Sequence, residues 1–346
     1  MASLRIDPSR QRYRALIGTG GIGAGDFFAL SGDHTLGREE SRAGRFLDRN
    51  DYCKLHIITH YVQALMGEGF TTLPIGKVGG DETGRRLAEE MAAAGLDLRH
   101  VHVEEGEQTL YSFCFIYPDG NGGNLTVDDS ASAKVTPALV AGAEGDFALF
   151  AGAGIALAVP EVPFDARVAL LEMGARHGFL RAASFTSEEM TRVRAENALE
   201  NVDLLAVNFE EAAAAAGVSA EGQPADVVEA AVEVLGTVQP SMHMSVTAGT
   251  HGSWVRDGGG LLHTPAVRVE AESTAGAGDA HLSGILSGLA AGLPLHEAHE
   301  LGVLTAALAV TSLHTINKAI DRESLRAFAD AVRAPLCARV RELLED

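Results

Sequence analysis

From residue 134 onward, short apolar runs alternate with stretches of helical period, and no other feature of the chain constrains its fold as much. Runs at 147–151, 179–183, 204–208 and 243–247 read as buried strands, and 163–177, 187–197, 209–217 and 224–236 read as the helices between them. Strands separated by helices cannot pair through tight hairpins. Their crossovers demand an α/β, doubly wound, mainly parallel sheet with helices on both faces. A first strand is expected at 14–18, ending in the glycine-rich loop Gly18-Thr-Gly-Gly-Ile-Gly-Ala-Gly-Asp26. Residues 52–66 have helical period and 71–78 read as a strand. Gly80-Asp-Glu-Thr-Gly84 then opens a helix that runs to Ala94 and stops at Gly95.

Residues 100–128 break this pattern. Segments 101–103, 109–117 and 124–127 are extended, with Pro118-Asp-Gly-Asn-Gly-Gly as a turn, and read as antiparallel hairpin strands rather than βα units. A second hairpin is expected at 254–256 and 261–263 across Asp257-Gly-Gly-Gly. Helices at 280–291, 295–313 and 322–344 close the chain, without an internal repeat.

The formal net charge is -20, so the surface repels nucleic acid and anionic membranes, and neither is an expected partner. Three distant cysteines make neither a disulfide framework nor a metal spacing, which suits a reducing cytoplasm. The N-terminal residues hold no secretory apolar region. The longest uncharged apolar run, 147–159, is too short to span a bilayer.

Chemistry concentrates at residues 273–286, Ser-Thr-Ala-Gly-Ala-Gly-Asp-Ala-His-Leu-Ser-Gly-Ile-Leu. Ala275, Gly276, Ala277 and Gly278 carry almost no side chain, so their amides can approach a bulky anion at a helix N-terminus. A carboxylate at Asp279 is electrostatically odd beside such a cradle unless it handles a proton, which points to phosphoryl transfer. The alternative is a tight glycine turn with Asp279 capping the helix.

This string resembles the second signature of the PfkB (ribokinase-like) carbohydrate kinase family, through Ser283, Gly284 and Ile285. Three further segments resemble family motifs in the same order: Asn208-Phe-Glu-Glu211, Thr247-Ala-Gly249-Thr-His-Gly252, and Val78-Gly-Gly-Asp81-Glu-Thr-Gly84. The resemblance implies a single ribokinase-like domain over 1–346, an α/β sandwich with a small β-sheet lid from segments near 26–45 and 100–128. It implies an ATP-dependent kinase acting on a hydroxyl of a sugar or sugar-like substrate. Asp279 would be the base and the amides of Gly276, Ala277 and Gly278 the anion hole. Asn208 and Glu211 would serve Mg²⁺, and Thr247, Gly249, Gly252 and Ala275 the nucleotide. Asn208 and Glu211 also fit a plain helix capping box. Asp26 sits where relatives bind sugar hydroxyls, and equally fits an Asx turn. The resemblance further implies dimerisation through the lid.

The chain departs from the family at several positions. The first signature, Gly-Gly-x-x-x-Asn, is missing, and Leu55, His56 and His60 stand in its place, with His56 and His60 as candidate substrate contacts. His56 and His60, at i,i+4, could also ligate a metal, although no third ligand is evident. Ser273 and Ala275 replace residues often used for a monovalent cation, which leaves that cation open. The lost signature motivates a second reading, a non-catalytic ligand-binding protein with the kinase fold. A third is an NAD(P)-linked oxidoreductase built on Gly18-x-Gly20-x-x-Gly23. That reading requires a helix to start at once, and Asp26, Phe27 and Phe28 followed by polar residues make a poor one.

Overall fold

The computed structural model describes residues 2–119, 122–258 and 260–345. β1 (Ala15–Thr19) passes through three residues into β2 (Gly23–Leu30), and β3 (Gly44–Tyr52) returns antiparallel to it. α1 (Lys54–Met66), β4 (Thr71–Gly79), α2 (Glu82–Ala93) and β5 (His100–Glu104) follow, then the pair β6 (Leu110–Ile116) and β7 (Gly122–Thr126). The central part comprises α3 (Pro137–Ala141), α4 (Glu144–Leu149), β8 (Gly154–Ala158), α5 (Phe164–Arg176), β9 (Leu180–Ala183), α6 (Met190–Ala195), β10 (Leu204–Asn208), α7 (Phe209–Ala216) and α8 (Pro224–Val238). β11 (His243–Thr247), β12 (Ser253–Asp257) and β13 (Gly260–Thr264) precede α9 (Ala277–Ala290), α10 (Leu295–Ala309), α11 (Arg322–Val332) and α12 (Ala338–Leu344).

Among the described residues the strands form two sheets. The large one has the order β13-β12-β11-β10-β9-β8-β1-β4-β5, parallel from β11 to β5 with an antiparallel hairpin at the other edge. Alternate residues of its strands feed two apolar layers. Leu16, Ile155, Leu157 and Leu204 pack with α1, α9 and α10 on one face, while Ile17, Ala156, Leu205 and Val207 pack with α5, α7 and α8 on the other. The small sheet, β3-β2-β6-β7, joins β2 to β6 in parallel and the outer pairs antiparallel. Among the described residues no helix is long and apolar enough to cross a membrane.

Four sequence expectations need correction. Residues 147–151 are not a strand: α4 ends at Leu149, and the strand starts at Gly154. Phe147 is buried against Phe179 with ring centroids 4.6 Å apart, but Leu149 is 66% exposed, so the run has only one buried face. The segment at 101–103 belongs to β5, which pairs parallel with β4 through the α2 crossover. Val103 is 57% exposed on this edge strand, and that half-solvated pattern imitated a hairpin. The helix expected over 322–344 is two helices, broken where Arg333 turns left-handed at φ 53° just before Ala334 and Pro335. The loop expected to run to Asp26 closes at Ile22, since β2 starts at Gly23. Gly120, Asn121 and Gly259, the centres of two expected turns, lie outside the described residues.

Candidate active site

In an open parallel sheet, ligands gather beyond the carboxyl ends of the strands, where the winding reverses. Here β1 lies between β8 and β4, and the chain builds outward from it in both directions, so the reversal falls between β1 and β8. Gly20 and Gly21 leave β1 at that point, and Pro160-Glu161 leaves beside them, with the Gly21 N–H donating to the Pro160 carbonyl at 3.0 Å. Asn208 and Thr247 end β10 and β11 in matched register on the same edge.

The N-terminus of α9 faces this edge. Gly276, its N-cap, is left-handed at φ 78°, and a Cβ there would lie 2.7 Å from the Thr315 carbonyl, so the turn demands glycine. No side chain caps the helix. The Ala277 amide donates to the Thr274 carbonyl at 3.2 Å, which leaves the amides of Gly278 and Asp279 as the outward donors of the first turn. Asp279 has a side chain only 14% exposed, with Lys54 Nζ 3.5 Å from its Oδ1. Burial pushes its carboxyl above the usual range while the Lys54 charge opposes that rise. Lys54 is in turn held above the ordinary lysine range, mainly by Asp279, with Glu211 and Glu161 adding to the effect.

The sequence pattern draws attention to His56 and His60 rather than to Lys54 beside them. The signal was present, however. A cation at the first position of a helix opposes the macrodipole, so it needs carboxylates in front of it. Two further acids were missed. Glu161 is half-buried at φ 76°, and burial pushes its carboxyl pKa up to about 7, which makes it a weaker acid. Asp51 is 7% exposed at the end of β3, accepts from the Ser112 hydroxyl and is also raised by burial.

Asn208 and Glu211 form a reciprocal capping box at α7: Asn208 Oδ1 accepts from the Glu211 amide at 2.8 Å, and Glu211 Oε2 from the Asn208 amide at 2.9 Å. One carboxylate oxygen of Glu211 remains for another partner. Mg²⁺ keeps most of its waters and takes one or two carboxylates beside phosphate oxygens, so this donor set fits it. Thr247 Oγ1 would lie 3.9 Å from a Cβ on Gly278, beside the nest. Gly249, at φ 53°, and Gly252, at φ 91°, shape the turn after β11, and a Cβ on Gly252 would meet the Thr264 carbonyl at 2.3 Å. Ala275 is half-buried in the turn leading to α9.

Other expected contacts are not gathered here. Asp26 is exposed within β2 and accepts from the Tyr111 hydroxyl at 2.6 Å. His56 and His60 are 1% and 5% exposed on α1. His56 packs edge-on to Tyr52, with ring centroids 4.8 Å apart. Burial drives the two imidazoles down to about 3 and about 4, and their charged neighbours include Glu90 and Lys318 rather than Asp279. Among the described residues no group of three or more His, Cys, Asp or Glu could hold a metal ion. After Gly18-x-Gly20-x-x-Gly23 the chain enters β2, not the helix a dinucleotide fingerprint needs.

The chain resembles solved structures across most of its length. It superposes on ribokinase from Cryptococcus neoformans var. grubii serotype A in complex with ADP with a TM-score of 0.74, at 18% identity, covering 92% of this chain and 99% of that one. For Burkholderia thailandensis nucleoside kinase in complex with inosine the TM-score is 0.70, at 19% identity, covering 91% and 98%. A 103-residue segment is 35% identical to bifunctional protein HldE of Methylobacillus flagellatus, spanning 29% of this chain and 21% of that relative. The sequence model for pfkB family carbohydrate kinases matches residues 62–322. On that match, the chain belongs to the pfkB family of carbohydrate kinases.

Proposed function

We propose that this protein transfers the γ-phosphoryl group of ATP to a hydroxyl of a sugar or sugar-like acceptor. The observation that carries this reading is Asp279, held with Lys54 in the first turn of an uncapped helix at the reversal point of the sheet. The outward amides and the helix dipole receive the terminal phosphates, and Thr247, Gly249, Gly252 and Ala275 border the nucleotide. Asp279 takes the proton of the acceptor hydroxyl. The freed oxygen attacks the γ-phosphorus in line, and the bond to the β-phosphate oxygen breaks to release ADP. Lys54, 3.5 Å from Asp279, keeps that carboxylate ionised before attack and offsets charge on the phosphoryl group as it moves. Mg²⁺, held by Asn208 and the spare oxygen of Glu211, would supply countercharge to the phosphates when bound.

Asp279, Glu211 and Glu161 face the Lys54 ammonium, and Asp51 adds its charge beside Asp279 and Glu161, so the cleft suits an uncharged polyol or nucleoside better than a sugar acid or a phosphorylated sugar. Asp51 takes the hydroxyl-binding role first assigned to Asp26. The small sheet, whose inner residues Ser112 and Asp51 face the cleft, acts as the lid that excludes water. Coupled ADP-release assays with neutral and acidic acceptors test the reading. Asp279→Asn should lower turnover by at least about a thousandfold while ATP binding and melting temperature persist. Undiminished turnover removes Asp279 from the chemistry.

A further inference from the structure

α1 has an unusual beginning. Its N-cap is Cys53, extended at φ -82° and ψ 160°, whose side chain makes no capping bond, and no acidic residue lies in the first turn. A thiol is a poor acceptor for the open amides there. The missing acceptor arrives from 107 residues away. Glu161 Oε2 accepts the Lys54 backbone N–H at 3.1 Å.

Reaching this position costs the loop after β8 something. Glu161 sits at φ 76°, a left-handed conformation that strains a non-glycine residue and persists where the surroundings over-determine it. Those surroundings are visible. A Cβ on Gly21 would fall 2.4 Å from Glu161 Oε2 and 2.5 Å from its Cβ, so only glycine leaves room for the carboxylate. The residue whose amide is capped is the same one whose ammonium lies 3.5 Å from Asp279.

We infer that Glu161 is a positioning residue: by capping α1 from the far side of the strand reversal, it fixes Lys54 against Asp279. The inference rests on the kinase reading for its catalytic consequence, and on the cap alone for its structural one. The groups facing Glu161 are Lys54 on α1, Cys53 before it, Asp279 on α9 and Asp51 on β3.

Two variants separate positioning from acceptor binding. Glu161→Ala removes the acceptor, so kcat should fall about a hundredfold, as a displaced catalytic group costs, with the KM for ATP and for the acceptor within about threefold of wild type. Glu161→Gln keeps a carbonyl oxygen in the same place and should restore kcat to within about fivefold. Amide exchange at Lys54, measured without substrate, should quicken at least tenfold in the alanine variant and not in the glutamine one. A raised acceptor KM with unchanged kcat in Glu161→Ala overturns the inference, as does unchanged exchange at Lys54. Were the wild type inactive on every acceptor, the kinase reading would fail, and the exchange measurement would still decide whether Glu161 caps α1.

Discussion

Lowering the pH from 7 to 5.5 should expose the character of the buried imidazoles. His56, His60, His281 and His299 are each at most 5% exposed, and burial drives them down to about 3, 4, 3 and 4. All four are therefore neutral in the fold at pH 5.5, whereas in the unfolded chain they bind protons below about 6.5. The unfolded state gains protons first, so stability falls as pH drops through 6.5 and goes on falling toward the folded values. At pH 5.5 each histidine costs on the order of 1 kcal/mol, and far less at pH 7, so the four together cost several kcal/mol. Glu161 acts in the opposite direction. Its folded value of about 7 lies above the unfolded one, so the native state takes up its proton over this window and recovers on the order of 1 kcal/mol. The raised carboxyls of Asp51, Glu211 and Asp279 act in the same sense as Glu161. The total is thus mixed, and the clean measurement is a difference. His56→Phe keeps an aromatic ring against Tyr52 and removes the titrating nitrogens. Urea unfolding followed by circular dichroism at pH 5.0, 5.5 and 6.0 gives stability against pH for both proteins. The wild-type line should be steeper by about 1 kcal/mol per pH unit, the effect of nearly one proton. Parallel lines would mean that His56 is already charged or solvated in the fold, as a substrate-facing imidazole would be, and would refute its placement in the interior.

Other expectations concern the cleft. Lys54→Met should reduce kcat at least about a hundredfold and shift the acid limb of the kcat profile to higher pH, because the ammonium is what holds the Asp279 carboxyl down; steady-state kinetics from pH 5 to 9 checks both. Gly276→Ala meets a left-handed backbone and the Thr315 carbonyl, so it should lose about 1–3 kcal/mol of stability, read from urea midpoints, and weaken ATP binding in calorimetry. Asp26→Asn should leave kcat and the acceptor KM within about twofold, whereas Asp51→Asn should raise the acceptor KM at least tenfold. The reverse order would restore Asp26 to the substrate site.

Much of the architecture was legible because parallel strands with both faces buried leave continuous apolar runs. Leu204–Asn208 and His243–Thr247 coincide with β10 and β11 as read from sequence. Two of the strand misreadings share one cause, partial burial: Leu149 and Val103 are apolar yet exposed, so local pattern alone could not assign their segments. The α9 nest was legible because it is contiguous, its small residues and carboxylate lying within a few positions. The rest of the cleft is assembled from distant loops. Lys54, Glu161 and Asp51 acquire their significance only when the sheet reversal brings the ends of β1, β3 and β8 together, and no local signal marks Glu161 as needing a left-handed backbone. His56 and His60 are the complementary case. Their spacing suggested one functional face of a helix, and that face turned out to be packed interior.

The parallel pairing of β2 with β6 has a consequence for how the chain is made. Asp26 meets Phe113 across the whole β4–α2–β5 unit. A nascent polypeptide emerging from the ribosome therefore holds β2 and β3 as an incomplete hairpin until about sixty further residues have followed, because loop closure over that span must precede any reward from pairing. The first strands synthesised wait for their partner, and their apolar edge, with Phe46 63% exposed even in the finished molecule, is the stretch that chaperones would meet during synthesis.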